Sequence, residues 1–156
     1  MSVAAKRILM AVAVTVFSIS MTFNAWAGEC EDGLEKCQKK CTKQALGADS
    51  PEEFKEMTDL DGPCESRCFT RSGKCQIKAV DKKNAGKVKK IIKSRKKSYA
   101  KLCEKRFQKL MGKCTKTANK DLGKLKSCYK KKVRPAILDC YEEIDKGLPF
   151  PGGEES

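Results

Sequence analysis

Histidine is absent from all 156 residues, and that absence closes several functional classes at once. Ser-His and Cys-His catalytic pairs, His-ligated metal centres and His-held haem all need an imidazole. Aromatic residues make up only 6% of the chain, with one tryptophan, Trp26, so an aromatic-lined ligand pocket is disfavoured. No Cys-x-x-Cys occurs, which speaks against zinc knuckles and thioredoxin-like redox sites, and Asn-x-Ser/Thr acceptors are missing too. Alternating β-branched segments of the kind that form strands are scarce. The paired carboxylates Glu52/Glu53 and Glu142/Glu143 are helical neighbours pointing about 100° apart, so they do not face one another as an acid/base pair would. A non-enzymatic protein with no cofactor, metal or small-molecule substrate is expected.

The one long apolar run, from Ile8 to Phe23, follows Lys6 and Arg7 and precedes Ala25-Trp26-Ala27. This order of a basic start, an apolar stretch and a small-x-small site is that of a cleavable export signal over residues 1–27. Ser18, Ser20, Thr22 and Asn24 interrupt the run, which falls short of the ~20 apolar residues a membrane span needs. No transmembrane segment is expected after cleavage. The mature protein is expected in the periplasm or outside the cell, where cysteines are oxidised.

Ten cysteines remain in the mature chain, and their order is informative. The pairs Cys30 and Cys75, Cys37 and Cys68, and Cys41 and Cys64 share one sum of residue numbers, 105. Positions that face each other across an antiparallel hairpin have such a constant sum. Steps of four and seven residues are one and two helical turns, so the rungs coincide in direction as well as height. Cys103 with Cys140 sums to 243 and Cys114 with Cys128 to 242, a looser second ladder. Eleven residues return to nearly the same helix face; the twelve from Cys128 to Cys140 overshoot, and Pro135 between them is the expected source of a corrective bend. The expectation is an all-α fold of two disulfide-laddered antiparallel helical hairpins with no sheet.

The Cys37-x3-Cys41 and Cys64-x3-Cys68 pair resembles the disulfide-stapled helical hairpins of plant defence peptides and small mitochondrial chaperones. The resemblance covers these four cysteines and implies the hairpin form; the 22-residue spacer between the motifs is longer than in those families.

Breaks in the pattern divide the chain into a first hairpin at 28–83, a second at 84–147 and a flexible tail at 148–156. Helix is expected from Asp32 to Leu46, with Gly47 as its stop and with Cys30 and Cys75 just outside the regular helices. Ser50-Pro51-Glu52-Glu53 reads as a capping box opening a short helix. Asp61-Gly62-Pro63 turns the chain into the next helix, and Asn84-Ala85-Gly86 reads as the boundary between the two cysteine sets. Val88, Ile91, Ile92, Tyr99, Leu102, Cys103, Phe107, Leu110, Met111 and Cys114 form the expected apolar stripe of the third long helix. A fourth helix then ends at Gly147.

Charge is concentrated in one segment. Residues 82–134 carry 22 basic and two acidic groups, against nine and 12 in residues 28–81 and one and six in residues 135–156. Ordinary solvated helices interleave Glu with Lys at four-residue spacing, and this segment forgoes nearly all such pairs. Lys89, Lys90, Lys93, Lys96, Lys97, Lys101, Lys105 and Lys109 are therefore the candidate anion-binding residues. Lysine suits diffuse attraction better than bidentate recognition, and the segment's few aromatics provide poorly for base stacking. Nucleic acid is thus disfavoured as partner beside lipid head groups, lipopolysaccharide, an acidic polymer or an acidic protein. Two alternatives are a secreted inhibitor or toxin-like protein presenting its 42–63 tip with Lys43 and Lys55, and a basic periplasmic chaperone.

Overall fold

The computed structural model describes residues 28–150; the expected export signal and the last six residues of the tail lie outside the described residues. Helices dominate, and the described residues contain no strand. Helix α1 covers 28–46, α2 covers Pro51–Thr58 and α3 covers Pro63–Ala79. The second half is two long rods. The first is α4 (Lys82–Ser98), a π turn at Tyr99–Cys103 and α5 (Glu104–Ala118). The second is α6 (Leu122–Cys128), a π turn at Tyr129–Val133 and α7 (Arg134–Gly147).

Local chemistry accounts for most of the boundaries. Ser50 Oγ accepts from Glu53 N at 3.1 Å and Pro51 opens α2, while the Glu53 carboxylate reaches back to Asp49 N at 2.8 Å. The break between the hairpins falls at Val80–Asp81, ahead of the expected Asn84-Ala85-Gly86. Asp81 accepts from Asn84 N at 2.8 Å and caps α4, drawing those three residues into its first turns. Asn119 and Lys120 both adopt positive φ, 48° and 69°, which reverses the chain between the two rods before Asp121 caps α6. Cys30 and Cys75 both lie inside helices, contrary to expectation, because the glycines beside them do not end the helix. At Gly73 a Cβ would stand 3.5 Å from the Ile92 side chain, an ordinary van der Waals contact, where α3 packs on α4.

Five disulfides link Cys30 to Cys75, Cys37 to Cys68, Cys41 to Cys64, Cys103 to Cys140 and Cys114 to Cys128, the same pairs as the constant sums. No cysteine is free. Adjacent rungs touch, with Cys41 Sγ 3.6 Å from Cys68 Sγ. Cys37, Cys41 and Cys68 place three sulfurs within 4.8 Å, but each is already bonded in a bridge and offers no thiolate to a metal. Five bridges point to maturation in an oxidising, extracellular type of compartment. No helix among the described residues is long and apolar enough to cross a membrane.

A single core joins the two hairpins. Phe54 of α2 is fully buried edge-on against Tyr129, with ring centroids 5.3 Å apart. Phe69 of α3 packs against Tyr99 and Tyr141, and Tyr99 lies 4.7 Å from Tyr141. Val133, Ile137, Phe107, Met111 and Leu125 complete the interior. By contrast Met57 of α2 is 37% exposed.

A buried ion pair crosses the same interface. Arg134 donates to Glu65 at 2.6 Å, with side-chain exposures of 8% and 4%, and Gln38 Nε2 lies 3.4 Å from the same carboxylate. Deleting one partner strands the other charge in low dielectric. Arg134→Met should therefore destabilise the protein by about 3–5 kcal/mol, and Arg134→Met combined with Glu65→Leu should recover most of that loss. Urea midpoints of the two variants check this. Equal destabilisation by both would show that the pair is not the source of the cost.

Candidate anion-binding face

The π turns decide which residues share a face. On an uninterrupted α-helix, Val88 and Phe107, nineteen residues apart, would point about 100° from each other. The Tyr99–Cys103 π turn, closed by the Glu104 N–H on the Tyr99 carbonyl, takes up one residue and returns the register. Both side chains are then buried, at 1% and 8% exposure. Leu102, expected on the apolar stripe, sits on the bulge of this turn and is 53% exposed.

The second rod repeats the device. Cys128 and Cys140 would miss a common direction by about 120° on a regular helix. Arg134 N–H bonds the Tyr129 carbonyl five residues back, and the register recovers about 100°. Pro135 follows in the first turn of α7. It has no N–H to lose, so the slipped register costs nothing there. The expected proline bend is thus a π turn placed just before the proline.

The eight candidate lysines all lie on the α4–α5 rod, and all are exposed. None of them takes part in a salt bridge among the described residues. Counted around the helix with one residue absorbed by the π turn, they occupy an arc of about 120° opposite Val88, Cys103 and Phe107. Without the turn, Lys89 and Lys109 would point about 160° apart and the face would break in two.

The three arginines of the basic segment are all committed elsewhere. Arg95 donates to the Leu148 carbonyl at 2.8 and 3.0 Å and to the Asp145 carbonyl at 3.3 Å, capping the C-terminal end of α7. It also pairs with the Asp145 carboxylate at 3.3 Å and lies 3.9 Å from the Phe150 ring centroid. Tyr99 donates to Asp145 as well. Burial raises the carboxyl of Asp145 and the phenol of Tyr99 above their ordinary pKa values. Arg106 meets Glu143 at 3.2 Å, and Arg134 is the buried partner of Glu65. The division of labour is chemical: the planar forked cations tie helices together, and the hydrated point charges face solvent.

Acidic groups near the face are few. Glu104 turns inward, with one carboxylate oxygen accepting from Gln108 at 2.9 Å and the other buried without a partner. Its burial, reinforced by Asp59 and Asp61, holds its pKa above the usual carboxylate value. Glu142 and Glu143 are exposed on α7, each paired with a cation, Lys146 and Arg106 respectively.

The hairpin tip is different in character. An open groove of about 390 Å³ there is lined by Gln44, Glu53, Glu56, Met57 and Arg67 beside the Cys41–Cys64 bridge. Lys43 and Lys55 are exposed but do not line it.

Sequence reasoning missed that all three arginines are paired with carboxylates elsewhere in the chain, which no spacing rule reveals. It also missed a legible regularity, since every fourth residue from Lys89 to Lys113 is lysine. No known protein family matches the chain, and no curated protein or solved structure is significantly similar to it.

Proposed function

We propose that this is an exported, non-enzymatic binding protein of the periplasm or extracellular space whose α4–α5 rod attracts an anionic partner. One observation carries the reading: eight exposed lysines without acidic partners share one face of a rod whose two arginines, Arg95 and Arg106, are each paired with a carboxylate of α7. Like charges at three- and four-residue spacing destabilise a helix by a few tenths of a kcal/mol per pair. Such a cost is incurred along the whole rod here, and the two bridges of the second hairpin, at about 2–4 kcal/mol each, offset it. Solubility alone would be served by mixed charges, which carry no such repulsion.

Retention of the oxidised protein on a sulfated-polysaccharide resin tests the proposal. The logarithm of retention should fall linearly with the logarithm of salt, with a slope of about −4 or steeper if five or more lysines release counterions. A protein that passes through at low salt would overturn it.

A further inference from the structure

The face has a direction as well as a charge. Seven lysines recur at every fourth residue from Lys89 to Lys113, and all seven are exposed. At ~1.5 Å per residue the series runs about 36 Å along the rod, with a cation about every 6 Å. On a regular α-helix each four-residue step rotates about 40°, so six steps would carry the series about 240° around the helix. The Tyr99–Cys103 π turn removes about 100° of that drift and leaves the series on the solvent side from end to end.

We infer that the occupant of this stripe is a linear polyanion lying along α4 and α5, an inference that rests on the anion-binding function proposed above. Two observations favour a chain over a lipid surface. Leu102 is the one large apolar side chain exposed on this rod, whereas a helix that settles into a membrane interface presents a whole apolar face. Glu143 stands beside α5 through Arg106, and Asp139 and Glu142 are exposed on the same rod as Glu143. A chain confined to α4 and α5 avoids those carboxylates. Lysines impose no bidentate geometry, so a repeating anion on the stripe binds in many equivalent registers.

Inorganic polyphosphate of graded length is the probe, titrated into the oxidised full-length mature protein at matched phosphate concentration. Affinity per chain should rise at least tenfold from triphosphate to chains spanning the stripe and then level off. Lys89→Gln with Lys93→Gln removes cations from one end, and Lys109→Gln with Lys113→Gln from the other. Each pair should weaken the spanning chain about tenfold or more while leaving triphosphate within about twofold, with unchanged circular dichroism. Affinity independent of length, but abolished by charge reversal on the rod, would overturn the linear occupant and leave anion binding intact. Tighter binding to phosphatidylglycerol vesicles than to spanning polyphosphate, at equal anion concentration, would replace it with a membrane surface. Binding to none of these probes would overturn both readings.

Discussion

Reducing all five bridges should detach α1 from the rest of the protein and leave a partly helical second hairpin. The reason lies in what each helix buries. Within α1 the buried residues are Cys30, Gln38, Cys41 and Ala45, so apart from cysteines it contributes one amide and one methyl group to the interior. The half-buried Leu34 and Leu46 add little more. At roughly 25 cal/mol per Å² of apolar surface, such a face falls far below the ordering entropy of nineteen helical residues. Three bridges closing separations of 45, 31 and 23 residues make up the difference, each by about 3–4 kcal/mol in the chain-entropy account. The second hairpin is otherwise provided, with Phe107, Met111, Leu125, Tyr129, Val133, Ile137 and Tyr141 buried. Hydrogen exchange after reduction and thiol blocking should therefore show protection lost across 28–46 and largely retained in α5 and α7. Uniform protection, with unchanged helicity, would mean that the bridges decorate a fold that stands without them.

Charge reversal on the rod should give the largest functional effect. Lys93→Glu, Lys96→Glu, Lys97→Glu and Lys101→Glu together remove four exposed cations and install four anions in the middle of the face. A lysine near an anionic surface contributes about 1 kcal/mol, so losing four costs about a thousandfold in affinity before repulsion is counted. Stability should hold or rise, because the new carboxylates gain Lys89, Lys90 and Lys105 as helical partners at three- and four-residue spacing. Vesicle or polymer titration reads the loss, and thermal unfolding followed by circular dichroism confirms that the fold survives.

Where the sequence was legible, covalent and helical geometry left few solutions. The mirror spacing of Cys30 to Cys75 admits an antiparallel ladder because only that arrangement keeps three rungs at matching heights and directions. The second ladder was legible in its pairing but not in its mechanism. A π turn has no residue signature of its own, and the twelve-residue step from Cys128 to Cys140 was its only trace. Asn84-Ala85-Gly86 misled because Asn and Gly are poor helix formers, yet a capping aspartate and the packing of Val88 outweigh that preference. The shared core was hidden for a different reason. Glu65 and Arg134 look like surface charges in a chain with so many, and only the tertiary fold brings them together across 69 residues. The lysine face itself was evident as composition, while its continuity depends on the Tyr99–Cys103 turn.

Whether the lysine face is a site or bulk charge is decided by the ratio of the affinities of two variants with identical net charge for the same anionic vesicle or polymer. One variant carries the four reversals at Lys93, Lys96, Lys97 and Lys101; the other carries Lys36→Glu, Lys39→Glu, Lys40→Glu and Lys43→Glu on α1, where all four lysines are also exposed. Residues 28–81 are already net acidic, and screening at about 0.1 M salt limits their reach to about 10 Å. A localised site on α4 and α5 predicts at least a hundredfold weaker binding for the first variant and less than about fivefold for the second. Equal losses from the two would reduce the basic segment to bulk charge and contradict a site.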